Sequence, residues 1–156
     1  MSRQVINGNL ELKLQKAVGL ISGTKDIAAF YLFGSYASGR PTPISDIDFA
    51  VLFDNSVNRD QFLTRKLQLM GDLSTVAGID KIDLVILNEA PPGLGYRVVK
   101  DGRLLFLRDE AKAQLVAFKV RVLDRYFDYQ PVQKVFSEGL SRRIKEGKFG
   151  GGPGKS

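Results

Sequence analysis

Hydrophobic and polar positions along the chain follow helical and strand periods in turn. Residues 10–21 repeat apolar side chains at a mostly helical spacing, which predicts an opening helix with one face on a sheet. The aromatic and aliphatic run IAAFYLF at residues 27–33 stops at Gly34-Ser35 and predicts a buried strand. A second strand is predicted over residues 46–53, after a connection rich in Gly, Ser and Pro.

The next segments continue this alternation. Residues 59–77 carry apolar side chains at helical spacing, and Gly78 follows as a residue that commonly ends helices. A strand, a short helical stretch and another strand are then predicted at residues 81–87, 91–99 and 103–107. The pattern as a whole predicts an α/β (α+β) fold with a small mixed sheet flanked by helices.

Residues 110–149 are helical in character and contain one proline. Because Pro131 lacks a backbone donor and disfavours helix at Gln130, we expect separate C-terminal helices on its two sides. Some of their apolar side chains must cover the sheet, and others are available to a partner. The sequence does not tell which side chains belong to which group. These side chains are Leu115, Phe118, Leu123, Phe127, Val135, Phe136 and Leu140.

Length and composition limit both the architecture and the chemistry. A chain of 156 residues fits one domain, which we place at residues 1–149, with the glycine-rich residues 150–156 as a flexible tail. Cysteine and histidine are absent, which excludes thiol nucleophiles, histidine bases and the zinc sites that need them. No segment resembles a signal peptide or is long enough to span a bilayer, so we expect a cytoplasmic protein without membrane contact.

Two carboxylates open the second predicted strand, DIDFAVLF. Strand side chains alternate, so Asp46 and Asp48 share one face with Ala50 and Leu52. Ionised side chains are rarely buried unless they are paired, so a cation should offset the cost of placing two together. Arg40 is near enough in sequence to be that cation, which would make the pair an ordinary salt-bridged strand end.

A third acid, Asp83, stands near the start of the next strand, KIDLVIL. Asp80 competes for the same role, but it precedes the apolar run and is assigned to the turn. Three carboxylates could then converge where two strands begin. Such a site suits Mg²⁺, which takes oxygen ligands and keeps positions for phosphates, and two such ions can clamp a phosphoryl displacement.

Gly34-Ser35 follows the first strand, and the segment SYASGR can form a short helical turn. This order presents backbone N–H groups to a phosphate, the Ser35 hydroxyl can add a hydrogen bond, and Gly34 permits close approach. Taken alone, an ordinary turn is the simpler interpretation. The position of the turn relative to the acids makes it a candidate.

With ten residues between Ser35 and Asp46, the stretch GSYASGRPTPISDIDFAVLF has the form GS-x10-D-x-D. It resembles the signature of the DNA polymerase β-like nucleotidyltransferase superfamily, and IDLVIL resembles the strand that carries the third acid there. The short length, the spacing to Asp83 and the ending RDEAKAQLVAFKVRVLDRYFDYQP resemble the minimal nucleotidyltransferases, the MNT-type proteins that are paired with HEPN toxins.

The resemblance implies an Mg²⁺-dependent adenylyltransferase, with two ions, that transfers AMP from ATP to a tyrosine of a cognate HEPN ribonuclease toxin and so acts as an antitoxin. Gly34 and Ser35 would hold the phosphates, Asp46 and Asp48 would ligate Mg²⁺, and Asp83 would complete the metal site and help to deprotonate the attacking hydroxyl. Secondary candidates for nucleotide binding are Gly39, Arg40 and Ser45.

Three alternatives stay open at this point. A nucleic-acid-binding module would explain the net charge of +6 and the basic residues 141–156, but it leaves three strand-borne aspartates unexplained. A protein with the same fold could neutralise a toxin by binding alone. The same site could also transfer a nucleotide to a small molecule, although no second substrate-binding domain is apparent.

Overall fold

The computed structural model describes residues 3–39, 41 and 46–137, and side chains over residues 9–39, 41 and 46–127. Within that part of the chain it contains one four-stranded sheet and four α-helices. In chain order these are α1 (Arg3–Ser22), β1 (Ile27–Phe33), β2 (Ile47–Phe53), α2 (Phe62–Ala77), β3 (Ile82–Ile86), α3 (Pro92–Asp101), β4 (Arg103–Leu107) and α4 (Lys112–Ser137). The predicted mixed α/β fold is confirmed.

The sheet has the strand order β3-β2-β1-β4. β1 is antiparallel to both β2 and β4, whereas β2 and β3 are parallel and begin at the same end of the sheet. At that end, Phe33 of β1 lies opposite Asp48 of β2, and Asp48 lies opposite Asp83 of β3. We call this the carboxylate end of the sheet.

Helices cover both faces of the sheet, and the alternation within β2 decides which residues meet them. Ile47, Phe49, Val51 and Phe53 pack with α1 and α2, in a core that includes the stacked rings of Phe30 and Phe49. Ala50 and Leu52 pack on the other face with residues of α3 and α4, among them Val98, Leu115 and Phe118. Asp48 has the same parity as Ala50, so it belongs to the α3 and α4 face.

The end of β2 opposite the carboxylates is closed by side chains. Asn88, in a 3-10 turn after β3, accepts a hydrogen bond from the Phe53 N–H at 2.8 Å and donates one to the Phe53 carbonyl at 3.0 Å. Gln114 of α4 donates a second hydrogen bond to that carbonyl at 2.9 Å. These bonds satisfy the backbone of Phe53 beyond the last β3 pairing.

The predicted interruption at Pro131 is wrong, because α4 is one helix of 26 residues from Lys112 to Ser137. A proline inside a helix removes one backbone hydrogen bond and costs about 3 kcal/mol, a local loss that a long helix tolerates when the bonds on both sides continue.

None of the described helices, α4 included, is long and apolar enough to cross a membrane. The remaining C-terminal segment and the predicted boundary at residue 149 lie outside the described residues.

The other boundaries differ from the predicted ones by a few residues. α1 begins at Arg3 instead of residue 10, and β2 begins at Ile47, so that Asp46 precedes the strand. α2 ends as predicted at Gly78, whose φ of +69° belongs to the left-handed region that favours glycine.

Candidate active site

Three acidic side chains gather at the carboxylate end of the sheet. Asp48 and Asp83 are each the second residue of their strand and are paired in register. Paired residues of neighbouring strands point to the same face, about 4.8 Å apart. Asp46 is exposed and stands one residue before β2. Asp80, the competing third acid, precedes β3 and has no such register with Asp48.

The acids repel one another. Partial burial raises the pKa of Asp48 above its usual range, and the negative charges of Asp83 and Asp46 raise it further. Among the described residues, no lysine or arginine forms an ion pair with any of the three. The sequence suggested Arg40 as a cation that could offset this repulsion. Arg40 lies outside the described residues.

The chemistry of these side chains fits a magnesium site. Carboxylate oxygens are the hard ligands that Mg²⁺ prefers, and a cation would relieve the repulsion that raises the pKa of Asp48. Over the described ranges, no group of three or more acidic side chains is arranged so that it could hold a metal ion as it stands. A catalytic magnesium site keeps positions for water and substrate phosphate, so an open arrangement of Asp46, Asp48 and Asp83 is compatible with that role.

The turn after β1 lies directly against Asp48. Gly34 has a φ of +77°, and a Cβ added to it would stand 3.2 Å from the Cβ and 3.0 Å from the Cγ of Asp48, and closer still to its Oδ2. Both the backbone conformation and the lack of space therefore require glycine here. The backbone of the turn reaches the carboxylate without an intervening side chain.

The segment after Gly34 is a single hydrogen-bonded turn. The N–H groups of Ala37 and Ser38 both donate to the Gly34 carbonyl at 3.1 Å, and the Ser38 hydroxyl donates to the Ser35 carbonyl at 3.0 Å. The predicted helical turn is thus present as one turn and does not continue into a helix. Ser35 is half-buried within it.

The structure therefore brings Gly34, Asp48 and Asp83 together, with Ser35 and Asp46 beside them in the chain. Of the secondary candidates, Gly39 ends the turn with a φ of +78°, and no atom of the described residues lies within 4 Å of a Cβ added there. The other two, Arg40 and Ser45, lie outside the described residues.

The sequence does not identify one neighbour of the acids. Phe33 lies opposite Asp48 and is half-buried, so it supplies apolar surface directly beside the carboxylate. Its position follows from the pairing of β1 with β2. The only signal for it in the sequence is its place immediately before Gly34.

Known proteins resemble this chain over the residues that build the site. The Polymerase beta, Nucleotidyltransferase family matches residues 15–111, a range that includes the turn and all three acids. A protein adenylyltransferase, MntA, of Aphanizomenon flos-aquae (strain 2012/KM1/D3) is 30% identical over 120 residues, which cover 73% of this chain and 78% of that protein.

Solved structures share the fold. A chain from a toxin-antitoxin structure with AMP-PNP is 26% identical, with a TM-score of 0.61, over 83% of this chain and 96% of that chain. A chain from a complex of tri-AMPylated Shewanella oneidensis HEPN toxin with MNT antitoxin is 23% identical, with a TM-score of 0.60, over 84% of this chain and 98% of that chain.

Proposed function

This chain belongs to the polymerase beta nucleotidyltransferase family, and we propose that it transfers AMP from ATP, with Mg²⁺, to a tyrosine hydroxyl of a HEPN-type toxin. Modification of the toxin would silence it, which makes the chain the antitoxin of the pair. Membership of the family supports the nucleotidyltransferase activity. The nucleotide, the metal and the acceptor are the parts that we propose.

One observation carries the proposal: Asp48 and Asp83 stand side by side in register while the Gly34 turn lies against Asp48. The arrangement puts a turn suited to phosphate next to acids suited to a cation. A nucleoside triphosphate complexed with Mg²⁺ presents these two chemical groups together. The proposed site is complementary to that substrate.

In the proposed reaction, the acceptor oxygen forms a bond to the α-phosphorus of ATP. The bond from that phosphorus to the oxygen bridging the α- and β-phosphates breaks, and pyrophosphate leaves. Asp83 takes the hydroxyl proton and passes it to solvent. Asp46 and Asp48, with Asp83, would hold the metal, while the Gly34-Ser35 backbone would orient the phosphates. Bound Mg²⁺ would neutralise the charge that develops on the phosphate oxygens.

The choice of a protein acceptor is supported by two relatives. The 30% identical protein is a protein adenylyltransferase, and the 26% identical chain comes from a toxin-antitoxin structure with AMP-PNP, an ATP analogue. A toxin as acceptor joins both observations. The tyrosine and the HEPN class come from the resemblance of the sequence to MNT-type proteins.

The test combines the purified chain with Mg²⁺, labelled ATP and the protein encoded beside it, and follows the intact mass of that protein. We expect it to gain AMP with wild type and with Asp80→Asn, a matched acid outside the register pair. We expect no gain with Asp48→Asn. If the partner forms a stable complex but gains no AMP although ATP is bound, the transfer proposal fails and neutralisation by binding alone takes its place.

A further inference from the structure

A cleft lies between α4 and the start of α3, on the face of the sheet that these two helices cover. It encloses about 270 Å³, including the part that is open to solvent. Pockets for drug-sized ligands occupy about 300–1,000 Å³, so this cleft suits a smaller group. Its lining residues come from the segment after β3, from the first turn of α3 and from α4: Leu87, Asn88, Ala90, Pro92, Phe118, Arg121, Val122 and Arg125.

Two arginines carry the charge of this cleft. Arg121 and Arg125 are four residues apart on α4, so their side chains are neighbours on one side of the helix. Both are exposed, and neither forms an ion pair or a hydrogen bond with another described residue. The guanidinium of Arg121 lies over the ring of Phe118, 5.8 Å from its centroid. Like charges at this spacing repel each other, and an anion between them would remove that repulsion.

Acidic side chains do not neutralise these arginines. None of the residues that line the cleft is acidic. Glu89 is next to Asn88 in the chain, but its carboxylate lies 3.8 Å from the Nε of Arg59. Asp124 is exposed on α4 and lines no part of the cleft. Within the described part of the chain, the lining residues therefore have a net positive charge.

The start of α3 borders the same cleft. Pro92 is the first residue of α3 and lines the cleft, Pro91 before it provides no side-chain cap, and the first turn contains no acid. The first hydrogen bond of the helix runs from the Gly95 N–H to the Pro91 carbonyl at 2.9 Å. The N–H groups of Gly93 and Leu94 precede it and have no acceptor within the helix. The partial positive charge of this helix end adds to the attraction of the arginines for an anion.

We propose that this cleft binds a phosphate group, held between the guanidinium groups of Arg121 and Arg125 beside the first turn of α3. An arginine binds phosphate oxygens through two parallel N–H donors. A carboxylate offers two acceptor oxygens, whereas the phosphate of a nucleotide or of the free anion offers at least three. A phosphate can therefore accept hydrogen bonds from both arginines and from the helix end together, which a carboxylate does less completely.

The cleft is separate from the carboxylate end of the sheet. Asn88, one of its lining residues, binds the backbone of Phe53, which is the last residue of β2, whereas Asp48 is the second residue of that strand. A phosphate in the cleft would therefore lie at the other end of β2 from the acids proposed to hold Mg²⁺. Phosphate binding in the cleft does not depend on nucleotide transfer, and either can fail while the other stands.

Calorimetry of inorganic phosphate with the full-length chain tests the cleft, in EDTA so that no metal recruits the anion to the acids. We expect saturable binding to the wild type and at least about tenfold weaker binding to Arg121→Gln/Arg125→Gln, because both guanidinium groups are lost. The matched control is Lys112→Gln/Lys119→Gln, which removes the same charge from α4 outside the cleft and should bind phosphate as the wild type does. Equal losses in both double variants, or no saturable binding to the wild type, would overturn the proposal.

Amide NMR spectra of the full-length chain locate the bound phosphate. Added phosphate should shift the N–H signals of Gly93 and Leu94 in the wild type, and it should leave them unchanged in Arg121→Gln/Arg125→Gln. Shifts confined to Ser35 and its neighbours would place the anion at the turn after β1 and overturn phosphate binding in the cleft.

Competition identifies the source of the phosphate, measured in EDTA with Asp48→Asn so that a proposed metal ligand of the transfer site is removed. AMP that binds at least about tenfold more tightly than inorganic phosphate would identify a nucleotide, and equal affinities would identify the free anion. Adenosine, which has no phosphate, should not compete in either case. A glutamate-rich peptide that displaces phosphate at lower concentration than AMP does would overturn the phosphate assignment in favour of an acidic protein segment.

Discussion

Gly34 and Asp48 occupy adjoining space that has room for only one side chain. The Asp48 carboxylate lies where a Cβ of residue 34 would project, and the left-handed backbone of Gly34 brings the turn to that point. The glycine of the turn and the first acid of the strand therefore work as one unit. A change in either residue shifts the proposed phosphate-binding turn relative to the proposed metal ligands.

Substitution of Gly34 by alanine tests this unit. We expect a loss of stability greater than the roughly 1–2 kcal/mol of left-handed strain alone, because the new Cβ also displaces Asp48. Displacement of a catalytic group by about 1 Å lowers activity by roughly a hundredfold. Urea unfolding and AMP transfer measure the two effects.

Gly78→Ala is the control for strain, since Gly78 has a φ of +69° and no neighbour within 4 Å of an added Cβ. It should show the cost of the left-handed backbone without the collision. Equal effects of the two alanines on stability would contradict the contact between Gly34 and Asp48.

Replacement of Asp48 by asparagine should abolish AMP transfer and yet stabilise the metal-free fold. Partial burial and the charges of Asp83 and Asp46 disfavour the ionised carboxylate, and asparagine removes its charge at nearly the same size. Like charges opposite each other on neighbouring strands cost roughly 0.2–1 kcal/mol. Urea unfolding in EDTA should show this gain for Asp48→Asn and none for Asp80→Asn. A destabilised Asp48→Asn would contradict the proposed repulsion.

The gain in stability should depend on pH in a defined direction. The pKa of Asp48 is higher in the folded than in the unfolded protein, so the folded state binds the proton more tightly. Its stabilising contribution is complete below the unfolded pKa, near 3.9, and is lost as the pH rises through the folded pKa. The advantage of Asp48→Asn should thus be full at neutral pH and shrink toward pH 4. An advantage that grows on acidification would refute this.

Magnesium together with a non-hydrolysable ATP analogue should raise the melting temperature of the wild type. A ligand that binds only the folded state stabilises it by about 2.7 kcal/mol at a hundred times its dissociation constant. Asp48→Asn should gain less, because one proposed metal ligand is lost, and EDTA should reverse the shift in the wild type. An equal shift in both proteins would place the metal elsewhere.

Removal of the Asn88 side chain should destabilise the sheet without a direct effect on the acids. Asn88→Ala leaves the Phe53 N–H without its acceptor, which costs about 1–3 kcal/mol for a buried group. Gln114→Ala should cost less, because Asn88 still donates to the Phe53 carbonyl. Chemical denaturation of the two variants checks the order, and a reversed order would show that Gln114 is the main support.

The strand patterns could be predicted from the sequence because their period belongs to the backbone. Ile47 and Phe49 on one face of β2, with Asp48 and Ala50 on the other, follow directly from alternation. The end of α2 was equally predictable, since Gly78 has the left-handed conformation that ends helices.

Contacts between elements could not be predicted in the same way. The collision between a residue-34 side chain and Asp48 depends on the register of β1 with β2, which the whole sheet sets. α4 continues through Pro131 because the helix on both sides of the proline supports it. The rule that proline interrupts helices considers the proline alone. The division of α4 into a buried side, with Leu115 and Phe118, and an exposed side, with Val116 and Val120, depends on the rotation with which the helix meets the sheet.

The parallel pairing of β2 with β3 also determines when the site comes into existence. To place Asp83 beside Asp48, the chain must first return through α2 and then add β3 to the outside of the sheet. During synthesis, a ribosome-bound fragment that ends before β3 already carries the Gly34 turn, Asp46 and Asp48 but lacks the third acid. With Asp83 as a residue of the proposed site, nucleotide transfer waits for the last strand on that side, and a half-made protein lacks the proposed activity.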